Sequence, residues 1–146
     1  VNGGTLGTDA VYQWFSGSCG GTSVGTGPSV TVSPTSTTTY FVRIAGICNT
    51  TSCVQTTVTV ETLSAAATSV SGGTTICNGG SATLAVVGGS LGTGAIWRWY
   101  SASCGGVTVG TGSSISVSPT STTDYFVRAE GNCNTTLCAS ATVNVV

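Results

Sequence analysis

The sequence contains no histidine, no methionine and no lysine, and its few charges are Arg43, Arg98, Arg128, Asp9, Glu61, Asp124 and Glu130. Each absence removes a class of function. Without histidine the chain lacks the commonest catalytic base, the commonest metal ligand and any ordinary protonation switch near neutral pH. A net charge of -1 with three cations argues against nucleic acid, because nothing here displaces a counterion atmosphere. Basic attachment to a membrane surface fails for the same reason. No apolar run approaches the roughly 20 residues of a spanning helix, so membrane insertion is not expected. No basic-plus-apolar leader opens the chain, which starts at Val1 and reads as a mature or excised piece of something secreted.

Glycine is abundant, and "SCGGTSVGTG" at residues 18–27 has the density of a phosphate-cradling loop. Such a loop needs a lysine after its last glycine and a helix behind it. Here Gly25 is followed by Thr26, and "PSVTVSP" downstream alternates like a strand. The stretch also returns as "SCGGVTVGTG" at residues 103–112, which marks it as architecture.

Seven cysteines are present. In a small chain without histidine they read as a disulfide framework in an oxidising compartment, extracellular or at the cell surface. Cys48 and Cys53 in "CNTTSC", and Cys133 and Cys138 in "CNTTLC", have a C-x4-C spacing at the loose end of zinc sites. Disulfides are therefore expected, and no metal or other cofactor.

Self-comparison shows a tandem repeat. Cys19, Cys48 and Cys53 recur as Cys104, Cys133 and Cys138, each displaced by 85 positions, and the same displacement carries Trp14 onto Trp99 and "SPTSTTTYFVR" onto "SPTSTTDYFVR". Val1 then aligns with Val86, inside "SATLAVVGG". Copy two has an opening segment, "ETLSAAATSVSGGTTICNGGSATLA", that copy one lacks, together with Cys77. The odd cysteine count follows, and one thiol of copy one is expected to find its partner upstream or in a neighbouring molecule. The boundaries read as 1–61 for an incomplete first repeat, 62–69 for a short linker and 70–146 for a complete second repeat.

Each copy reads as all-β. "SATLAVV", "AIWRWYS", "SISVSP", "DYFVRAE" and "ATVNVV" alternate with period two between Gly, Ser, Thr, Asn and Pro, as in a β-sandwich. The alternation places Trp97, Trp99, Tyr125 and Val127 toward one core, with Tyr12, Trp14, Tyr40 and Val42 as their equivalents. Tyr125 suits a tyrosine corner, with its hydroxyl bonded to backbone. Phe15, Phe41 and Arg43 in copy one, and Arg98, Tyr100, Phe126 and Arg128 in copy two, point the other way. Aromatic rings beside an arginine form a possible contact face for a glycan or a neighbouring chain; covering a half-exposed sheet is the plainer reading.

No catalytic set is visible. Asp9 becomes Gly94, Glu130 matches Ala45 and Asp124 matches Thr39, so no carboxylate is repeated, and the many Ser and Thr have no base beside them. Asn49 and Asn134 begin N-T-T, an N-glycan acceptor pattern that also suits a hairpin turn.

"TICNGGSATL", "WRWYSASCGG" and "VGTGSSISVSPTSTTDYFVRAEGNCNTTLCAS", taken in order, resemble the Ig-like repeats of very large secreted and cell-surface proteins of Bacteroidota, including adhesin-type proteins. The resemblance implies tandem, disulfide-stapled Ig-like β-sandwiches with no catalytic residue, forming an adhesin stalk or an extracellular filament. The partners it implies are neighbouring copies of the repeat, in the same chain or another subunit, with surface glycans as the alternative. Four cysteines per complete copy allow three pairings. An ordinary Ig strand order puts Cys77 near Cys104 and leaves Cys133 with Cys138. Relatives that carry only the counterparts of Cys77 and Cys133 imply instead that these two pair, leaving Cys104 with Cys138.

Overall fold

The computed structural model describes residues 1–146, which form strands, turns and no helix. The chain divides into two compact units, Val1–Glu61 and Thr62–Val146.

The first unit is one four-stranded antiparallel sheet. Its strands are β1 (Val11–Ser16), β2 (Thr22–Thr26), β3 (Thr38–Ala45) and β4 (Val54–Val58), in the order β2-β1-β3-β4. The second unit has two sheets. Strands β5 (Ser69–Ser71), β7 (Ala82–Val87) and β10 (Ser114–Val117) form one, in the order β10-β7-β5. Strands β6 (Thr75–Ile76), β8 (Ile96–Ser101), β9 (Val107–Thr111), β11 (Thr123–Glu130) and β12 (Ala139–Val145) form the other, in the order β6-β12-β11-β8-β9.

The core of the second unit lies between its sheets, and period-two alternation selects its members. Trp97 and Trp99 of β8, Tyr125, Val127 and Ala129 of β11, and Val143 of β12 meet Ala82 and Leu84 of β7 and Val117 of β10. Trp99, Leu84, Val127 and Val143 are wholly buried. Trp99 Nε1 donates to Gly112 O at 2.9 Å, which removes the cost of burying the indole N–H. Tyr125 is buried as expected, but its hydroxyl makes no hydrogen bond to backbone, so no tyrosine corner forms.

The chain opens this unit by changing sheets. Ser69–Ser71 pairs with β7, and after Gly72 and Gly73 the two residues of β6 run parallel to the end of β12. Gly72 has φ +90°, and a Cβ there would lie 1.9 Å from Thr83 O, so the crossing requires glycine.

Two expectations are corrected. Residues 62–69 are not a linker but part of the second unit: Ala65 exchanges backbone hydrogen bonds with Ser90 (2.9 and 3.2 Å), Ser64 is buried and Ser69 begins β5. Small side chains let this segment lie close to the loop after β7; a Cβ at Gly92 would sit 2.1 Å from Thr62 O. The second correction concerns "SVTVSP" at residues 29–34, which forms no strand, whereas its counterpart "SISVSP" supplies β10. Strand β10 exists by pairing with β7. No strand lies beside residues 29–34 as β7 lies beside β10, and an alternating run without a partner has no ladder to join.

Candidate functional site

Two sheet faces are candidates. The first is the outer face of β1 and β3, and of β8 and β11, where the possible contact residues were expected. In the second unit, Arg98 lies directly opposite Arg128 in the β8–β11 register, an unfavourable placement for like charges. Glu130, two residues after Arg128 and on the same face, resolves it. Its Oε1 accepts from Arg128 Nε at 2.8 Å, and its Oε2 lies 2.9 Å from Arg98 Nε, an ionic contact without the alignment of a hydrogen bond. Tyr100 Oη also donates to Glu130 Oε1, and the Arg128 guanidinium stands over the Tyr100 ring at 5.1 Å.

These contacts shift the groups that make them. The Tyr100 hydroxyl, assisted by Arg128 and Arg98, holds the Glu130 carboxyl below the usual glutamate range against the opposing effect of burial. Burial, followed by the hydrogen bond to Glu130, pushes the Tyr100 phenol upward. The bond to Glu130 raises Arg128 further.

The first unit builds a simpler version. Gln13 stands opposite Arg43, and its Oε1 accepts from Arg43 Nε and Nη2, both at 3.4 Å. Arg43 covers the Phe15 ring at 4.8 Å. Gln13 and Ala45 in one copy become Arg98 and Glu130 in the other, so the added cation comes with its counter-ion. Sequence reasoning set Glu130 aside as an unrepeated carboxylate; the signal for it was Arg98 appearing at the same time, two residues from Ile96, the register partner of Glu130 on the paired strand.

Phe15 and Tyr100 do point away from the main core, but they are covered, at 7% and 5% exposure, so neither ring is presented for stacking. Phe41 and Phe126 are half-buried. Disulfides lie on the same side. Cys104, in the β8–β9 turn, is bonded to Cys138 before β12, and Arg128 Nη1 is 4.0 Å from Cys104 Sγ. Cys19–Cys53 repeats this bridge in the first unit. The C-x4-C pairs are thereby divided, and no cluster of metal-ligating side chains is formed. Within "SCGG", Gly20 and Gly105 take left-handed φ of +79° and +80°, and the glycine after each lies where a Cβ would be 2.8 Å from a backbone carbonyl; the motif is a hairpin turn.

Cys77 does not pair with Cys133 in the structure. Strand β6 sets Cys77 beside the carboxyl end of β12, whereas Cys133 lies in the β11–β12 turn, before β12 begins. Cys48 and Cys77 are exposed thiols. Asn134 is no open acceptor: its Nδ2 donates to Ser64 O and its Oδ1 accepts from Ser64 N, both at 2.9 Å. Asp9 holds a left-handed φ of 54° at a position where its counterpart is Gly94 at 66°, so it occupies a turn.

The second candidate face is the inner face of the first unit. Tyr12, Trp14, Tyr40, Val42, Ile44 and Val54 line an open trough of about 630 Å³. Its counterpart in the second unit is the sandwich core. Trp99 is 0% exposed while Trp14 is half-buried, and Val54 is 71% exposed where Ala139 packs against the core.

No helix is long and apolar enough to cross a membrane. No curated protein matches the sequence. Among solved structures, the chain is similar to the N-terminal four Ig domains of Dscam1 isoform 6.9, at 14% identity and a TM-score of 0.51, covering 94% of this chain and 38% of that one. It is also similar to the N-terminal eight Ig domains of Down Syndrome Cell Adhesion Molecule isoform 1.30.30, at 15% identity and a TM-score of 0.52, covering 94% of this chain and 22% of that one. At such identities the likeness establishes the fold, which is Ig-like. The model of the family described as "Ig-like domain CHU_C associated" matches residues 4–61 and again 65–146, and the chain belongs to that family.

Proposed function

We propose that this chain is a structural repeat segment of an extracellular, cell-surface protein, extending it as an adhesin stalk or filament, without catalytic activity. The observation that carries the reading is the repetition itself: one bridged unit, Cys19–Cys53 and Cys104–Cys138, occurs twice with the same loop of 34 residues. A binding or catalytic centre is a singular feature, and what the copies share is framework. Low charge, disulfides and a family of Ig-like repeats are the further support. Neighbouring copies of the repeat are the partners in this reading. Glycan recognition by the outer face is the weaker alternative, because Phe15 and Tyr100 are covered and Arg128 is engaged with Glu130.

The test is location. Antibody raised against the second unit should label intact cells that produce the protein. Labelling that requires permeabilisation would overturn the proposal.

A further inference from the structure

The outer face of each unit carries the same three-layer stack. The lowest layer is an aromatic ring of the sheet, Phe15 in β1 and Tyr100 in β8. A guanidinium lies over each ring, Arg43 at 4.8 Å and Arg128 at 5.1 Å. The third layer is a glycine of the "SCGG" turn. A Cβ at Gly20 would lie 3.3 Å from Arg43 Nη1, and one at Gly105 would lie 3.2 Å from Arg128 Nη1. Each turn therefore folds back over the guanidinium and closes it onto the ring, which leaves Phe15 7% and Tyr100 5% exposed although both lie on outer faces.

The ties that hold the turn down are few. In the first unit Gly21 N donates to Ser18 O at 3.0 Å within the turn, and Gly17 N donates to Thr39 O at 3.3 Å at its base. Neither bond reaches across the face. The bond that does so is Cys19–Cys53, which ties the exposed tip of the turn to the residue before β4. Gly17 and Gly20 are held at φ of +83° and +79°, and glycine has the most conformational freedom to regain when a tie is cut.

The layer beneath the turn is anchored differently in the two copies. Arg43 is held to the sheet by Gln13, a neutral acceptor, with both bonds at 3.4 Å. Arg128 is held by the Glu130 carboxylate, through Nε at 2.8 Å and Nη2 at 2.7 Å. The second guanidinium thus has an ionic anchor that does not involve the turn.

We propose that the "SCGG" turn of the first unit is a redox-operated lid, closing Phe15 under Arg43 while Cys19–Cys53 is intact and lifting to uncover the ring when that bond is reduced. The second unit has the same lid and a second lock, because Glu130 keeps Arg128 over Tyr100 after Cys104–Cys138 is cut. The reductant is a dithiol. Its thiolate attacks Sγ of Cys19, the more exposed partner, and displaces Cys53 Sγ to leave a mixed disulfide; its second thiol then displaces Cys19 Sγ. The dithiol departs as its own disulfide, oxidised by two electrons, and its two protons end on Cys19 and Cys53. The device belongs to each unit by itself and does not depend on the stalk reading.

The experiment measures ring exposure in the full chain, as the relaxation of Phe15 and Tyr100 ring protons by a neutral gadolinium chelate. The oxidised parent is compared with the parent reduced by dithiothreitol, with Cys19→Ser plus Cys53→Ser, and with Cys104→Ser plus Cys138→Ser. Phe15 should relax about threefold or more faster in the reduced parent and in the first variant, as local opening without unfolding allows. Tyr100 should stay covered in the reduced parent and in the second variant, and should be uncovered once Glu130→Ala is added to that variant. Amide exchange in β1 and β3 should stay within about twofold of the parent, because the lid lies outside their ladder. Phe15 equally covered with and without its bridge would overturn the proposal. So would loss of β1 and β3 protection together with the bridge, because the bond would then be holding the sheet and not a lid. Tyr100 uncovered as far as Phe15 by reduction alone would overturn the second lock.

Discussion

Glu130 shows how one side chain makes an outer sheet face affordable. Two arginines directly across a strand pair repel, and Glu130 reaches Arg98, Arg128 and Tyr100 together. Its carboxyl is held below the ordinary range by Tyr100 first and the arginines after it. A folded value below the unfolded one means that the contribution is present in full above the ordinary glutamate range and is lost as pH falls through the lowered value. Glu130→Gln should therefore destabilise the second unit by about 1 kcal/mol at neutral pH, the scale of a partly exposed charge-assisted network. The difference from the parent should shrink once the pH is taken into acid, below the ordinary glutamate range, as the parent carboxylate is protonated. Urea denaturation at both pH values measures this, and a variant as stable as the parent at neutral pH would show that the network contributes nothing.

At the scale of the element, the two copies form an internal experiment in which nearly the same strands meet different neighbours. Val143 is wholly buried under the second sheet, and Val58, its counterpart, is only half-buried. Val143→Ala should cost about 2 kcal/mol through lost transfer and a residual cavity, and Val58→Ala well under about 1 kcal/mol. Amide exchange in each unit reads both, and equal costs would mean that the first unit buries this face in solution. The same contrast marks how far sequence reading reached. Alternation correctly placed Trp97, Trp99, Tyr125 and Val127, because side-chain direction in a strand is a local property. It failed at residues 29–34, because being a strand also depends on a partner that alternation does not encode. It failed at residues 62–69 because a run of small residues suits a linker and a close-packed edge equally. Burial of Phe15 and Tyr100 was hidden because their cover comes from Arg43, Arg128 and Glu130, which sequence alone assigns to solvent.

For the whole molecule, the bridges set how far each unit can lengthen under load. Cys19–Cys53 and Cys104–Cys138 each close a loop of 34 residues, from the β1–β2 turn to the start of β4 and from the β8–β9 turn to the start of β12. Closing such a loop contributes about 3 to 4 kcal/mol by restricting the unfolded chain. It also withholds that loop from extension. At 3.3–3.6 Å per extended residue, the 34 positions spanned by either bridge correspond to about 120 Å of chain that oxidised protein does not release. In single-molecule pulling through the two termini, reductant should lengthen the unfolding step of the second unit by that amount. Cys104→Ser with Cys138→Ser should reproduce the longer step without reductant, which separates this bridge from any other thiol chemistry. Equal step lengths with and without the bridge would mean that it lies outside the load path, and the proposed mechanical role of the repeat would lose its main support.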